Sequence, residues 1–138
     1  MKLNPHLTFN GNCKAAFEFY HDLLGGSLTL ISYADSPAAA QVPPDWQHRI
    51  VHGTLTLAES EIAGADILPE QYTKPAGFCL LLQPENEDKA KRLFASLSEN
   101  GNIEMPIQQV FWSACYAKFT DQFGTPWEIS CVEAPSHV

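Results

Sequence analysis

The chain has 138 residues, 45% of them hydrophobic, enough for one domain with a core that needs no disulfide or partner to hold it. A net charge of −8 excludes the basic stripe of a nucleic-acid binder and opposes adsorption to anionic membranes. No apolar run reaches the ~20 residues of a membrane span, and the start, MKLNPHLTFNGN, has neither the apolar core nor the small-residue cleavage site of a signal peptide.

Elements follow in order. HLTFN (6–10) alternates and reads as a strand. In GNCKAAFEFYHDLLGG, residues Ala16, Phe19, Tyr20, Leu23 and Leu24 recur at helical spacing, which predicts a helix over Asn12–Leu24 stopped by Gly25 and Gly26. SLTLISYAD (27–35) is a second strand. SPAAAQVPPDWQ is a loop in which Pro43 and Pro44 forbid a helix. HRIVHGTLTL (48–57) and SEIAGADIL (60–68) are the third and fourth strands, and PEQYTKPAG links onward.

The order then starts again. FCLLLQ (78–83) is a strand, and NEDKAKRLFASLSENG carries a helix over Asn86–Glu99 with Ala90, Leu93, Phe94 and Leu97 on one face. IEMPIQQVFW (103–112), ACYAKFTD (114–121) and TPWEISCV (125–132) give three more strands. Each half therefore reads strand, helix, strand, strand, strand, and the two helical stripes superpose at a fixed offset. The expectation is a single α+β domain over 1–138. It holds two βαβββ modules, about 5–68 and about 76–133, whose sheets curve into a cup.

Cys13, Cys79, Cys115 and Cys131 form no CxxC pair and no zinc-finger spacing, so they read as free thiols in a reducing cytoplasm. Glu128 is a lone carboxylate between Trp127 and Ile129. Either it faces water, or a positive group meets it, because burying it unpaired is costly. His6 reads as a capping or a pocket histidine, and His52 as a core or a pocket histidine, since it shares strand parity with Ile50 and Thr54. Trp112 and Tyr116 share parity in FWSACYA and suit either the core or a ligand platform. Asp121 and Gly124 in TDQFGTP read as a turn.

FNGNC ahead of AAFEFY, the VHGTLTL strand, and FW followed by FTDQFGTPWEIS resemble PhnB-like proteins of the glyoxalase/bleomycin-resistance group, the vicinal oxygen chelate superfamily. The resemblance runs from about Pro5 to Val132. It implies a cup whose metal, when present, takes its ligands from the first and last strands of the modules. Here it points to His6 and Glu128 as ligands, with Glu128 as ligand or base. The other two ligand places offer Phe78, Cys79 and Leu80, or Ala63, Gly64 and Ala65, so only a weakly held divalent metal is expected. His52, Cys79, Trp112 and Tyr116 complete the expected pocket. The implied function is a metal-dependent isomerase, lyase, transferase or dioxygenase acting on a small polar molecule, or else a protein that binds and sequesters a small molecule. A homodimer is also expected, with the Trp46 loop as a contact. Domains of this kind are also labelled as demethylubiquinone methyltransferases. No glycine-rich strand-to-helix loop for a nucleotide-like cofactor occurs here.

Overall fold

HLTF forms a strand because its alternation lets Leu7 and Phe9 leave water while His6 stays exposed. The computed structural model describes residues 1–131. The chain divides into two units, Met1–Thr73 and Lys74–Val138. The first holds β1 (His6–Phe9), α1 (Cys13–Leu24), β2 (Ser27–Ser32), β3 (Ile50–Thr56) and β4 (Glu61–Asp66). Its sheet runs β1-β4-β3-β2, with β1 parallel to β4 and the other pairs antiparallel.

Helix α1 packs on one face of this sheet through Phe17, which lies over two glycines paired across β3 and β4, Gly53 and Gly64. A methyl group on Gly64 would come within 2.9 Å of the Phe17 ring, so bare backbone is what lets the helix sit this close. Phe9 meets Phe17 edge-on at 5.9 Å. The opposite face carries His6, Ala63, Thr54 and Thr29 in one cross-strand row.

The start of α1 has no cap from its own Asn12 side chain. Asp66, at the end of β4, supplies the acceptor instead. Its Oδ1 takes the Cys13 N–H at 3.0 Å, its Oδ2 takes the Ile50 N–H at 2.9 Å, and its backbone carbonyl accepts the Tyr33 hydroxyl at 2.7 Å. One carboxylate, 1% exposed, thus joins the helix start to the first residue of β3.

The second unit holds β5 (Leu80–Leu82), α2 (Glu87–Leu97), β6 (Asn102–Val110), β7 (Ser113–Thr120) and β8 (Pro126–Ser130), in the sheet order β5-β8-β7-β6. Here the helix cap is local: Asn86 Oδ1 accepts from Lys89 N–H at 2.9 Å. Helix α2 lies on β7 and β8, with Phe94 edge-on to Phe119 at 5.6 Å. Trp127 pairs with Phe119 and Ile129 with Ala117, all four of them buried. Asp121 holds the β7–β8 turn. Its Oδ1 accepts from the N–H groups of Phe123 and Thr125, and its Oδ2 accepts from Trp127 Nε1 at 2.8 Å.

These are the two four-stranded sheets and two helices of an α+β fold, and the element order matches the sequence pattern. Several details differ. The helices start one residue late because Asn12 and Asn86 occupy the cap positions, and α2 ends at Leu97. The buried stripe of α1 is Cys13, Ala16, Phe17 and Tyr20; Phe19, Leu23 and Leu24 are only half-buried. The stripe is turned toward Phe17 because only the two glycines admit so large a ring. The proline-bounded loop holds two single-turn 3-10 helices, Ala39–Gln41 and Pro44–Trp46; the second has a proline in its first turn, where no N–H is needed. The strand expected over 78–83 shortens to Leu80–Leu82, because Gly77 turns the chain at φ +81° and leaves Phe78 half exposed. Phe111 and Trp112 form the β6–β7 turn rather than strand. Val132, expected in the last strand, lies outside the described residues.

Candidate functional site

Strand parity places chemistry on the face of the second sheet turned away from α2. Trp127 and Ile129 face the helix, so Pro126, Glu128 and Ser130 face the other way. Glu128 pairs in register with Lys118 on β7 and Leu81 on β5, and Ser130 pairs with Tyr116. Glu128, Lys118, Tyr116, Leu81 and Cys79 therefore share one surface.

The Glu128 carboxylate is bound at both oxygens. Tyr116 donates its hydroxyl to Oε1 at 2.8 Å, and Cys79 donates its thiol to Oε2 at 3.0 Å. The tyrosine is 8% exposed and lies edge-on to the Trp112 ring at 5.2 Å, which in turn meets Phe111 at 4.6 Å. A cavity of about 490 Å³ opens beside the carboxylate. Pro75, Phe78, Cys79, Glu104, Lys118 and Glu128 are among its lining residues. Lys118 reaches Glu104 at 3.8 Å, with both side chains exposed.

Protonation follows from this geometry. The hydrogen bond from Cys79, then that from Tyr116, holds the Glu128 carboxyl below its ordinary 4.5. Burial, then the bond to Glu128, pushes the Cys79 thiol up to about 11 and the Tyr116 phenol up to about 12. At neutral pH the cluster is one carboxylate and two neutral donors. A thiol held this firmly protonated is a poor nucleophile.

Of the residues singled out from the sequence, Cys79, Trp112, Tyr116 and Glu128 thus gather in one cluster of the second unit. His6 and His52 belong to the first unit. His6 is exposed, in register with Ala63 on the face away from α1. His52 is exposed rather than in the core. Ser32 pairs with Ile50 and Ile31 with His52, so Val51 is an extra residue on β3 and the alternation slips between buried Ile50 and His52. Trp46 is half-buried, and the Arg49 guanidinium lies over its ring at 5.7 Å from the centroid. Sequence reasoning missed Lys118 and Glu104. The signal was present, since Lys118 is the single charge in the strand SACYAKFT and lies one hairpin pairing from Glu128.

Among the described residues, no three His, Cys, Asp or Glu side chains gather as a metal-holding group. The donors that meet Glu128 within its own unit are a protonated thiol and a protonated phenol, a set that does not fit a resident hard divalent ion.

A family described as 3-demethylubiquinone-9 3-methyltransferase matches residues 1–130. Protein YjdN of Escherichia coli K12 is 37% identical, over 96% of this chain and 97% of its own length. The crystal structure of PA1353 from Pseudomonas aeruginosa superposes with a TM-score of 0.87 at 36% identity, covering 95% of this chain and 97% of that one. The PhnB protein from Bacillus cereus superposes at 0.77 with 23% identity, covering 96% and 100%. The fold extends to a glyoxalase/bleomycin resistance protein/dioxygenase superfamily member from Sphaerobacter thermophilus, at 0.56 and 18% identity over 95% and 98%. The match over residues 1–130 and the 37% identity with YjdN place the chain in the family described as 3-demethylubiquinone-9 3-methyltransferase, and its fold is the one found in the PhnB protein and in the glyoxalase/bleomycin resistance superfamily member.

Proposed function

We propose that the chain binds a small molecule on the helix-free face of its second sheet, with Glu128 as the polar anchor and Cys79, Tyr116 and Trp112 as the pocket around it. One observation carries this reading: a half-buried carboxylate whose two oxygens are oriented by neutral donors beside an open cavity. Donors that depress a carboxyl's pKa make it a stable acceptor and a weak base, which suits recognition better than proton abstraction. The family's methyltransferase description is not what this site supports. The turn after β1 holds a single glycine, Gly11, whose φ of +95° serves the entry to α1 and whose carbonyl accepts from Arg49 at 2.7 Å.

The second reading is a metal-dependent enzyme with His6 and Glu128 as ligands. What favours it is that each of these residues stands on the helix-free face of its own sheet, on the first and last strands respectively. In that reading Glu128 is a ligand or base toward a small polar substrate. A homodimer and a cytoplasmic setting are part of the proposal. Unpaired sheet edges support the first, and the second rests on free thiols at Cys13, Cys79, Cys115 and Cys131. No helix among the described residues is long and apolar enough to cross a membrane.

The test is a thermal-shift screen of small amphipathic molecules against chelator-treated protein, because a ligand that binds only the folded state raises the melting midpoint. Hits lost in Glu128→Gln and weakened in Tyr116→Phe are expected. Hits that appear only after a divalent metal is added, and vanish in His6→Ala, would overturn binding in favour of the enzyme.

A further inference from the structure

Glu128 has no opposite charge in direct contact, and Lys118 acts on it only from a distance. The two partners of Glu128, Tyr116 and Cys79, are neutral, and among the described residues it makes no ion pair. The nearest ammonium on its surface, Lys118, sits directly across the hairpin yet pairs with Glu104. The cavity wall therefore holds two carboxylates against one ammonium, leaving a local excess of one negative charge. A half-buried carboxylate resists desolvation unless a cation or further donors meet it. Beside it stand large apolar side chains left in water: Phe78 at 51% exposure, Leu81 at 54% and Trp112 at 53%. Of these, Phe78 lines the cavity itself, with Pro75 and Pro126.

We infer that the ligand of this site is an amphipathic organic cation, an amine or quaternary ammonium whose charge meets Glu128 and whose apolar body covers Phe78 and Leu81. The inference rests on the small-molecule reading above and narrows it to a ligand class. Several features agree. An organic ammonium accepts one carboxylate as its only charged partner, whereas a hard metal ion requires several oxygen donors. A cavity of about 490 Å³ is of the size that holds small ligands. The chain's net charge of −8 draws cations toward it. Tyr116 and Cys79 spend their protons on the carboxylate, so neither is left as a donor for an anion, and Lys118, the strong donor in the lining, is already paired with Glu104. Lys118, on a flexible exposed stem, is the built-in competitor: it lies close enough to stabilise the charge of Glu128 when no ligand is present.

Phenethylammonium, phenethyl alcohol and phenylacetate share an apolar body and differ in head-group charge. Titration calorimetry on chelator-treated full-length protein, with chemical-shift mapping of Cys79, Tyr116 and Glu128, separates them. The cation is expected to bind about tenfold or more tightly than the alcohol, and the anion not at all. Glu128→Gln should erase the preference for the cation while leaving the fold intact by circular dichroism. Lys118→Met should tighten the cation several-fold and leave the alcohol unchanged. Equal binding of alcohol and cation would overturn the ligand class while small-molecule binding stands. Binding of none of the three at millimolar concentration would overturn both. Tightest binding of phenylacetate, weakened by Lys118→Met, would reverse the assignment and make Lys118 the anchor. Cation binding unaffected by Glu128→Gln would place the ligand elsewhere and overturn the inference.

Discussion

The two units share an element order and meet the same structural demands by different means. Each must satisfy the first amides of its helix. The second does so with Asn86, three residues from the Lys89 amide it accepts. The first does so with Asp66, which lies 53 residues from Cys13. Each also buries an aspartate: Asp66 ties together distant segments, while the Asp121 carboxylate accepts from amides of its own turn and from the Trp127 indole. Each must let a helix approach its sheet. The first uses two glycines under Phe17, and the second uses ring-on-ring packing of Phe94 against Phe119. A repeated fold thus fixes the problems but not the residues that solve them.

The largest expected effect comes from Asp66→Ala, which strips acceptors from two buried amides and should cost about 3–5 kcal/mol in urea unfolding. Hydrogen exchange should accelerate at both the α1 start and the β3 start. In Asp121→Ala the acceleration should centre on the β7–β8 turn and the Trp127 indole. If Asp66→Ala instead frays only one segment, the contrast between long-range and local aspartates breaks.

Next in size is Gly64→Ala. The new methyl group would meet the fully buried Phe17 ring at 2.9 Å, so the helix must shift, at a cost of about 1–3 kcal/mol. Gly53→Ala meets chiefly the Leu30 methyl at 3.0 Å, the far end of a flexible side chain, and should cost less. Equal midpoints for the two variants would show that Phe17 does not set the helix height.

The capping pair follows. Asn86→Ala should lose about 1 kcal/mol. Asn12→Ala, whose side chain caps nothing, should stay within about 0.5 kcal/mol of the parent. A larger loss at Asn12 would mean that α1 carries a local cap after all.

These cases also show what the sequence reveals. The element order, the helical stripes, the Asp121 turn and the parity that puts Trp127 and Ile129 under a helix all follow from spacing within one element. The spacing puts Asn86 inside its helix rather than at the cap, although an asparagine just ahead of a helical stripe is a cap signal. Asp66 was not legible, because DIL at the end of a strand says nothing about which amide meets it. The slip at Val51 was equally silent and moved His52 out of the core, since a bulge depends on the partner strand. In the candidate site, Glu128 stood out by its charge, but its bonds to Cys79 and Tyr116 arise only when three strands align.

The smallest expected effect is on the acid limb of stability. Because the folded state holds the Glu128 carboxyl below 4.5, its contribution is present above that value and lost as the pH falls through the lowered pKa. Glu128→Gln should flatten that part of the pH–stability curve, read from melting midpoints between neutral and strongly acidic buffer. An unchanged slope would mean that the cluster's hydrogen bonds are no stronger to the ionised form.

The reach of Asp66 has a consequence for how the chain emerges from the ribosome. Residues appear in order, and the acceptor that completes the start of α1 lies at the end of the last strand of its unit. A nascent chain stopped before Asp66 carries its helix without that acceptor, and its third strand without a partner for the Ile50 amide. The first unit therefore cannot be completed until its final strand takes its place between β1 and β3. In the second unit, the Asp121 turn can close as soon as Phe123 and Thr125 follow it out.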